Sequence, residues 1–180
     1  MNISEVNTAT YVGKFSLNEN SSVKRNLNFE YALNKEEKFK EGGRVYLIVV
    51  NGEIFKIGGS QSKGGISSTL GFYISGNTGR PSIRTYGINY LIEKELKKQN
   101  LVEVYMIQSE LITAPVCGLF GSEMEEVSAF KEMETKCVNQ YVNVMKKHPV
   151  WNFQEAGLKW EDDVQESYNY YMNKVKGYTA

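Results

Sequence analysis

RVYLIVVNGEIFKIGGS, residues 44–60, is the stretch on which the reading of this chain turns. Two runs rich in β-branched and aromatic side chains flank Asn51-Gly52, the arrangement of a tight β-hairpin. A tyrosine, Tyr46, stands in one run and a lysine, Lys56, in the other. The plain reading makes Tyr46 a cross-strand packing residue and Lys56 a chain that snorkels to water. The alternative is that both face one site.

Working outward, residues 1–43 are polar and mixed, with a short strand at 11–17 and a charged piece, NKEEKFKEGG, leading into the hairpin. They read as an N-terminal extension or arm, and the Lys-rich run as a solvated face. After the hairpin, residues 58–82 are rich in Gly and Ser, and only ISSTLGFY has the apolar content for a short helix. A better helix runs from Pro81-Ser82 to about residue 99, with Ile88, Leu91, Ile92 and Leu96 on one face. VEVYMIQ alternates as a strand with Val102, Val104 and Met106 inward, and LITAPVCGLF is expected to extend the sheet beyond a turn. Ser122 and Glu125 fit a capping box for a long helix reaching residue 147, which His148-Pro149 stops. The last helix carries Val164, Tyr168, Tyr171 and Val175 as its stripe. The order predicts an α+β domain: a small antiparallel sheet, hairpin plus third strand, flanked by helices.

Composition excludes several classes. At 180 residues the chain suits one domain with a sizeable core. Its formal net charge is zero, so no global basic field advertises nucleic acid, although a local patch is enough to hold phosphates. The N-terminus lacks the features of a signal peptide, and no run approaches the ~18 apolar residues of a membrane span. Cys117 and Cys137 lie far apart and His148 is the single histidine, which argues against a Cys/His zinc site and for reduced thiols in a cytoplasm.

One carboxylate is out of place. On the long helix Val127, Phe130, Cys137, Val138, Tyr141, Val144 and Met145 keep to one face, and Glu134 falls in its middle. A carboxylate there costs several kcal/mol unless paired, protonated or bound to a cation. It either reaches a basic partner or water, or looks into a cleft and holds a divalent metal.

Val45-Tyr46, then Lys56-Ile57-Gly58, then an arginine, a glutamate and an asparagine, together resemble the GIY-YIG nucleases. ETKCVNQY, residues 134–141, is similar to that family's glutamate helix, and HPVWN to the Pro-aromatic-Asn segment closing its motif. The resemblance covers residues 44–152. Lys56 replaces the usual tyrosine of YIG, as in restriction-enzyme-like members. The first helix after the hairpin contains no arginine, so that role passes to Arg84 or Arg80, with Arg84 preferred.

The resemblance implies a stand-alone restriction-type or phage endonuclease hydrolysing phosphodiester bonds in double-stranded DNA with one Mg²⁺ or Mn²⁺. Tyr46 would be the general base, with Lys56 favouring its phenolate or binding the phosphate or water. Arg84 would stabilise the phosphate and Glu134 would hold the metal. Lys63, Arg80, His148, Asn152 and Gln154 are candidate DNA contacts. The nuclease domain is expected at 44–155, with 156–180 a helix packed on it, and a homodimer would bring two sites to two strands. Alternatives are a catalytically inactive nucleic-acid-binding module on the same fold, or an unrelated partner-binding α+β domain in which Glu134 is ion-paired.

The chemistry makes a demand on the hairpin. A two-residue Asn-Gly loop puts Leu47 opposite Lys56 and Tyr46 on the other face, whereas a three-residue loop at 50–52 pairs Tyr46 with Lys56. A shared site needs the second register or an equivalent bulge, and the three-residue loop is expected.

Overall fold

The computed structural model describes residues 1–20, 22 and 24–177. A short 3₁₀ turn at Ile3–Glu5 precedes β1 (Thr10–Leu17), β2 (Leu27–Tyr31) and a one-turn helix α1 (Lys35–Phe39). The hairpin follows as β3 (Arg44–Val50) and β4 (Glu53–Ser60). Helices α2 (Gly65–Ile74) and α3 (Ile83–Lys97) lead to β5 (Val102–Gln108). A second hairpin, β6 (Leu111–Gly118) and β7 (Gly121–Ser128), precedes α4 (Phe130–Met145) and α5 (Asp162–Gly177). The fold is α+β, a five-stranded antiparallel sheet in the order β2-β1-β5-β3-β4 with helices on its faces.

The expected N-terminal arm is part of that sheet. Phe15 of β1 points into the core, a bulge at Val12 turns that side chain to the same side, and Leu27 of β2 joins them. Since β1 pairs with β5 on one side and β2 on the other, Thr10–Leu17 and Leu27–Tyr31 complete the sheet instead of hanging from it.

Both faces of β3 are covered, which is why RVYLIVV reads as unbroken apolar sequence. Tyr46, Ile48 and Val50 pack with Val102, Val104 and the inner faces of α2 and α3. Val45, Leu47 and Val49 pack on the opposite side against Val138 and Tyr141 of α4. The stripe of α5 lies on α3, with Val164 buried and Tyr86 ringed by Tyr168 and Tyr171.

Two expectations fail together after β5. LITAPVCG does not extend the main sheet; it pairs along its whole length with GSEMEEVS, from Leu111 opposite Ser128 to Gly118 opposite Gly121. Residues 122–128 are therefore strand, not the first turns of the long helix. Ser122 and Glu125 form no capping box, and α4 starts at Phe130 behind an uncapped Ala129. Gly121, at φ 143°, supplies backbone that a side-chain-bearing residue rarely adopts and lets the chain reverse. The hairpin is solvent-exposed, with Leu119 and Phe120 bare at its tip.

The first strands therefore carry core energy and the second hairpin does not. Phe15→Ala should cost about 3–5 kcal/mol of unfolding free energy, and Phe120→Ser no more than ~0.5 kcal/mol, both read by urea denaturation. A Phe15→Ala protein as stable as the parent would return residues 1–43 to the status of an arm.

Candidate active site

The loop of the central hairpin is the two-residue one. Asn51 and Gly52 take φ of 47° and 84°, both left-handed, as an Asn-Gly turn of this kind requires. Val50 opposes Glu53 and Val49 opposes Ile54, but Ile48 then opposes Lys56, because a bulge leaves Phe55 unpaired. The bulge shifts β4 by one residue, so every later side chain on it changes face. The expected three-residue loop is thus replaced by a tight turn plus a bulge with the same effect. Tyr46 opposes Gly58, not Lys56, and Tyr46, Ile48, Lys56 and Gly58 share one face.

Gly58 and Gly59 organise what gathers here. A methyl group added to Gly58 would lie 2.5 Å from Cζ of Tyr46 and closer still to its hydroxyl. One added to Gly59, on the opposite face, would lie 2.9 Å from Cδ of Glu134 and against its Oε2. The two Cα atoms are about 3.8 Å apart. A tyrosine from one face and a glutamate from the other therefore meet at adjacent residues of an edge strand. The α4 stripe sets Glu134 there by seating Val138 and Tyr141 in the core one and two turns later.

Arg84 enters from the first turn of α3, which Ser82 caps by accepting from the Thr85 N–H. Its guanidinium lies 3.7 Å from a Glu155 carboxylate oxygen. With Tyr46, Thr69, Tyr73 and Ser60 it lines a cleft of about 240 Å³, with Phe72 at its mouth.

The electrostatics distinguish the residues. Tyr46 is buried and its hydroxyl lies 2.6 Å from that of Tyr73. Burial, then the neighbouring Tyr73, hold its pKa well above the ordinary tyrosine value, with only Arg84 pulling the other way. The expectation that Lys56 favours a phenolate is thus corrected: the cation acting on Tyr46 is Arg84, and the phenol is neutral at ordinary pH. Lys56 is the group moved toward neutrality. Burial, then the positive charge of Arg84, push it down to about 8, against the pull of Glu155 and Glu134. Arg84 is itself disfavoured by burial but held above its usual value by Tyr46, Tyr73, Glu155 and Glu134.

Among the described residues Glu134 makes no hydrogen bond or ion pair, and no three His, Cys, Asp or Glu side chains group as a metal cage. A single carboxylate left open beside a cleft suits a hard, largely hydrated cation such as Mg²⁺ and does not suit zinc.

The candidate DNA contacts fall in different places. Lys63, Arg80 and Gln154 are exposed on the segments that flank the cleft. His148 is half-buried, with Nδ1 unbonded, and does not line it. Asn152 is fully buried, which corrects its reading as a DNA contact. Its amide accepts from the Ile57 N–H at 2.9 Å and donates to the Ile57 carbonyl at 2.8 Å. Beside it the Trp151 N–H donates to the Phe55 carbonyl at 2.8 Å. Trp151 is core.

Sequence reading missed Tyr73, Glu155 and Arg44. Tyr73 falls on the buried stripe of α2 with Ile66 and Leu70. Glu155 carries no local signal. Arg44 begins an apolar strand and is fully buried, which its position in that run could have flagged.

The chain matches no protein-family model. No curated protein matches its sequence. Among solved structures it is similar to a mutant of bacteriophage T4 EndoII, with a TM-score of 0.56 and 17% identity over 84% of this chain and 98% of that one. The restriction endonuclease HPY188I in complex with product DNA aligns with a TM-score of 0.47 and 22% identity, over 82% of this chain and 80% of that one. The first likeness shows the fold.

Lys56 also gives the site a measurable stability signature. Its folded value of about 8, against 10.5 for a free lysine, corresponds to roughly 3 kcal/mol set against folding while the amine is charged. That penalty is complete below pH 8 and fades as pH rises from about 8 to 10.5. Lys56→Met should therefore raise the unfolding free energy at pH 7 by up to that amount, read by urea denaturation, and lose the advantage near pH 10.5. A variant less stable at pH 7 would mean that the ammonium is well paired.

Proposed function

We propose that this chain is a metal-dependent DNA endonuclease of the GIY-YIG type. One observation carries the reading: Tyr46, Lys56, Arg84 and Glu134, drawn from four elements, lie around Gly58-Gly59 at one end of an edge strand. The fold shared with T4 EndoII, an endonuclease by its name, supports it.

Each residue has a task suited to its surroundings. Arg84, held by Glu155 at the cleft wall, faces the scissile phosphate and stabilises the charge that grows on its oxygens. Glu134 would hold the cation, Mg²⁺ or Mn²⁺, which when bound supplies further positive charge to those oxygens. Lys56, poised near pH 8, takes the proton of the attacking water as its neutral amine. Tyr46 and Tyr73 act as neutral hydroxyls: one donates to the other at 2.6 Å, and the acceptor's own proton is left to orient the water or phosphate. Lys63, Arg80 and Gln154 flank the cleft as phosphate or base contacts, and double-stranded DNA is the substrate. A homodimer would cut both strands.

The test uses supercoiled plasmid with Mg²⁺. The wild-type chain should nick or linearise it, EDTA should stop the reaction, and Glu134→Ala should lower the rate on the order of 10²-fold or more. Equal cutting by wild type and Glu134→Ala, or no cutting by either with Mg²⁺ or Mn²⁺, would sink the reading.

The base assignment has its own signature. With DNA well below saturation, where the rate reports the free protein, cleavage should accelerate with pH up to about 8 and then level off, as Lys56 loses its proton. Lys56→Met should lose both the rate and the rise. A wild-type profile flat from pH 6.5 to 9 would remove Lys56 as the base.

A further inference from the structure

Arg44 is a fully buried cation that pairs with no carboxylate among the described residues. Its guanidinium donates to the carbonyls of Lys40 (3.1 Å), Gly42 and Ser62 (3.3 Å), and to Oγ1 of Thr69 at 3.5 Å. Desolvation of such a group is costly, and backbone carbonyls are its main compensation. The last of its contacts leads toward the cleft.

Thr69 Oγ1 lies 2.7 Å from Oγ of Ser60. An arginine can only donate, so Thr69 receives from Arg44 and keeps its own proton to give. Two acceptors compete for that proton: Ser60 Oγ at 2.7 Å and the Gly65 carbonyl at 3.4 Å. Given to the shorter contact, the proton runs from Thr69 to Ser60. Ser60 Oγ also accepts from the Ser62 N–H at 3.3 Å. Both lone pairs of the Ser60 hydroxyl are then occupied, and its hydrogen has no protein acceptor among the described residues. Ser60 and Thr69 both line the cleft that Arg84 and Tyr46 also line.

We infer that Ser60 is a phosphate-binding residue of this site, its hydroxyl turned into a fixed donor toward a non-bridging phosphate oxygen by the Arg44–Thr69–Ser60 chain. The inference rests on the nuclease reading and deepens it: the anion is gripped from the strand side by Ser60 and from the α3 side by Arg84. Arg44 and Thr69 are positioning residues, since neither donates to the phosphate. The arrangement lets a buried guanidinium act on the cleft while staying out of water, because each hydroxyl is polarised by the one behind it.

The test is cleavage of plasmid by the full chain, with DNA affinity and thermal midpoint measured in parallel. Ser60→Ala should lower kcat about 10–100-fold, somewhat below the loss seen for a dedicated oxyanion donor, with the midpoint unchanged. Ser60→Thr, which keeps the hydroxyl, should recover most of the loss. Thr69→Val keeps the shape but cannot relay, and should lower kcat in the same direction. The double variant Ser60→Ala/Thr69→Val should be no slower than Ser60→Ala alone, since the two changes break one chain. Wild-type rates for Ser60→Ala overturn the proposal. So does a Thr69→Val protein that cuts as fast as or faster than wild type, which would mean that Ser60 spends its proton on Thr69. Fully additive losses overturn the relay. A wild-type chain that cuts nothing sinks the nuclease reading and this proposal with it, whereas wild-type cutting untouched by Ser60→Ala sinks this proposal alone.

Discussion

The site depends on two consecutive residues without side chains at the edge of a sheet. Side chains alternate across a strand, so groups on opposite faces are normally separated by the full thickness of the sheet. Gly58 and Gly59 reduce that separation locally. Above Gly58 the ring of Tyr46 settles onto the backbone, and below Gly59 the carboxylate of Glu134 does the same. Because β4 is an edge strand, no further strand stands between the two groups and the cleft. A methyl group at either position would displace the ring or the carboxylate, so the residues that permit the site are ones that contribute no chemistry to it.

An edge strand carrying such a site must be held in register without a strand on its outer side. Residues 151–152 do this: Trp151 bonds the Phe55 carbonyl, and Asn152 closes both polar groups of Ile57. These bonds fall on the bulge and on the residue beside Lys56, where β4 changes face. They also remove backbone groups that would otherwise invite another chain to pair. Asn152 thus acts one step behind the chemistry, fixing the strand that presents Lys56, while Arg44 does the same for the hydroxyls of Thr69 and Ser60.

How much of this was legible in the sequence depended on the range of the forces involved. The α+β class, the hairpin, α3 and β5 follow from periodicity, and Glu134 stands out because a charge interrupts a 3.6-residue stripe. The bulge does not, since Phe55 is an ordinary strand residue and only its packing against Trp151 marks it as the extra one. The β7 strand was hidden behind good helix formers, because pairing with β6 is a non-local gain that local propensity cannot report. β1 and β2 read as an arm for the same reason: what ties them to the sheet is the pairing of β1 with β5, some ninety residues later in the chain. Arg44 and Tyr73 sat within apolar patterns and were absorbed by them.

A chain with zero formal net charge must attract a phosphate through local charge alone. Arg84 cannot do this unaided, because Glu155 partly neutralises it. Lys56 supplies an adjustable share. In the free protein burial and Arg84 hold it close to its titration point, so it is costly as a cation and available as a base. An anionic phosphate entering the cleft offsets the charge of Arg84 and favours the ammonium. In the nuclease reading the lysine therefore strengthens the electrostatic grip after taking the water's proton, at the step where negative charge on the phosphoryl oxygens is greatest. A permanently charged arginine at position 56 could bind the phosphate but could not take that proton. In that reading the depressed lysine is the feature of this strand that joins binding to proton transfer.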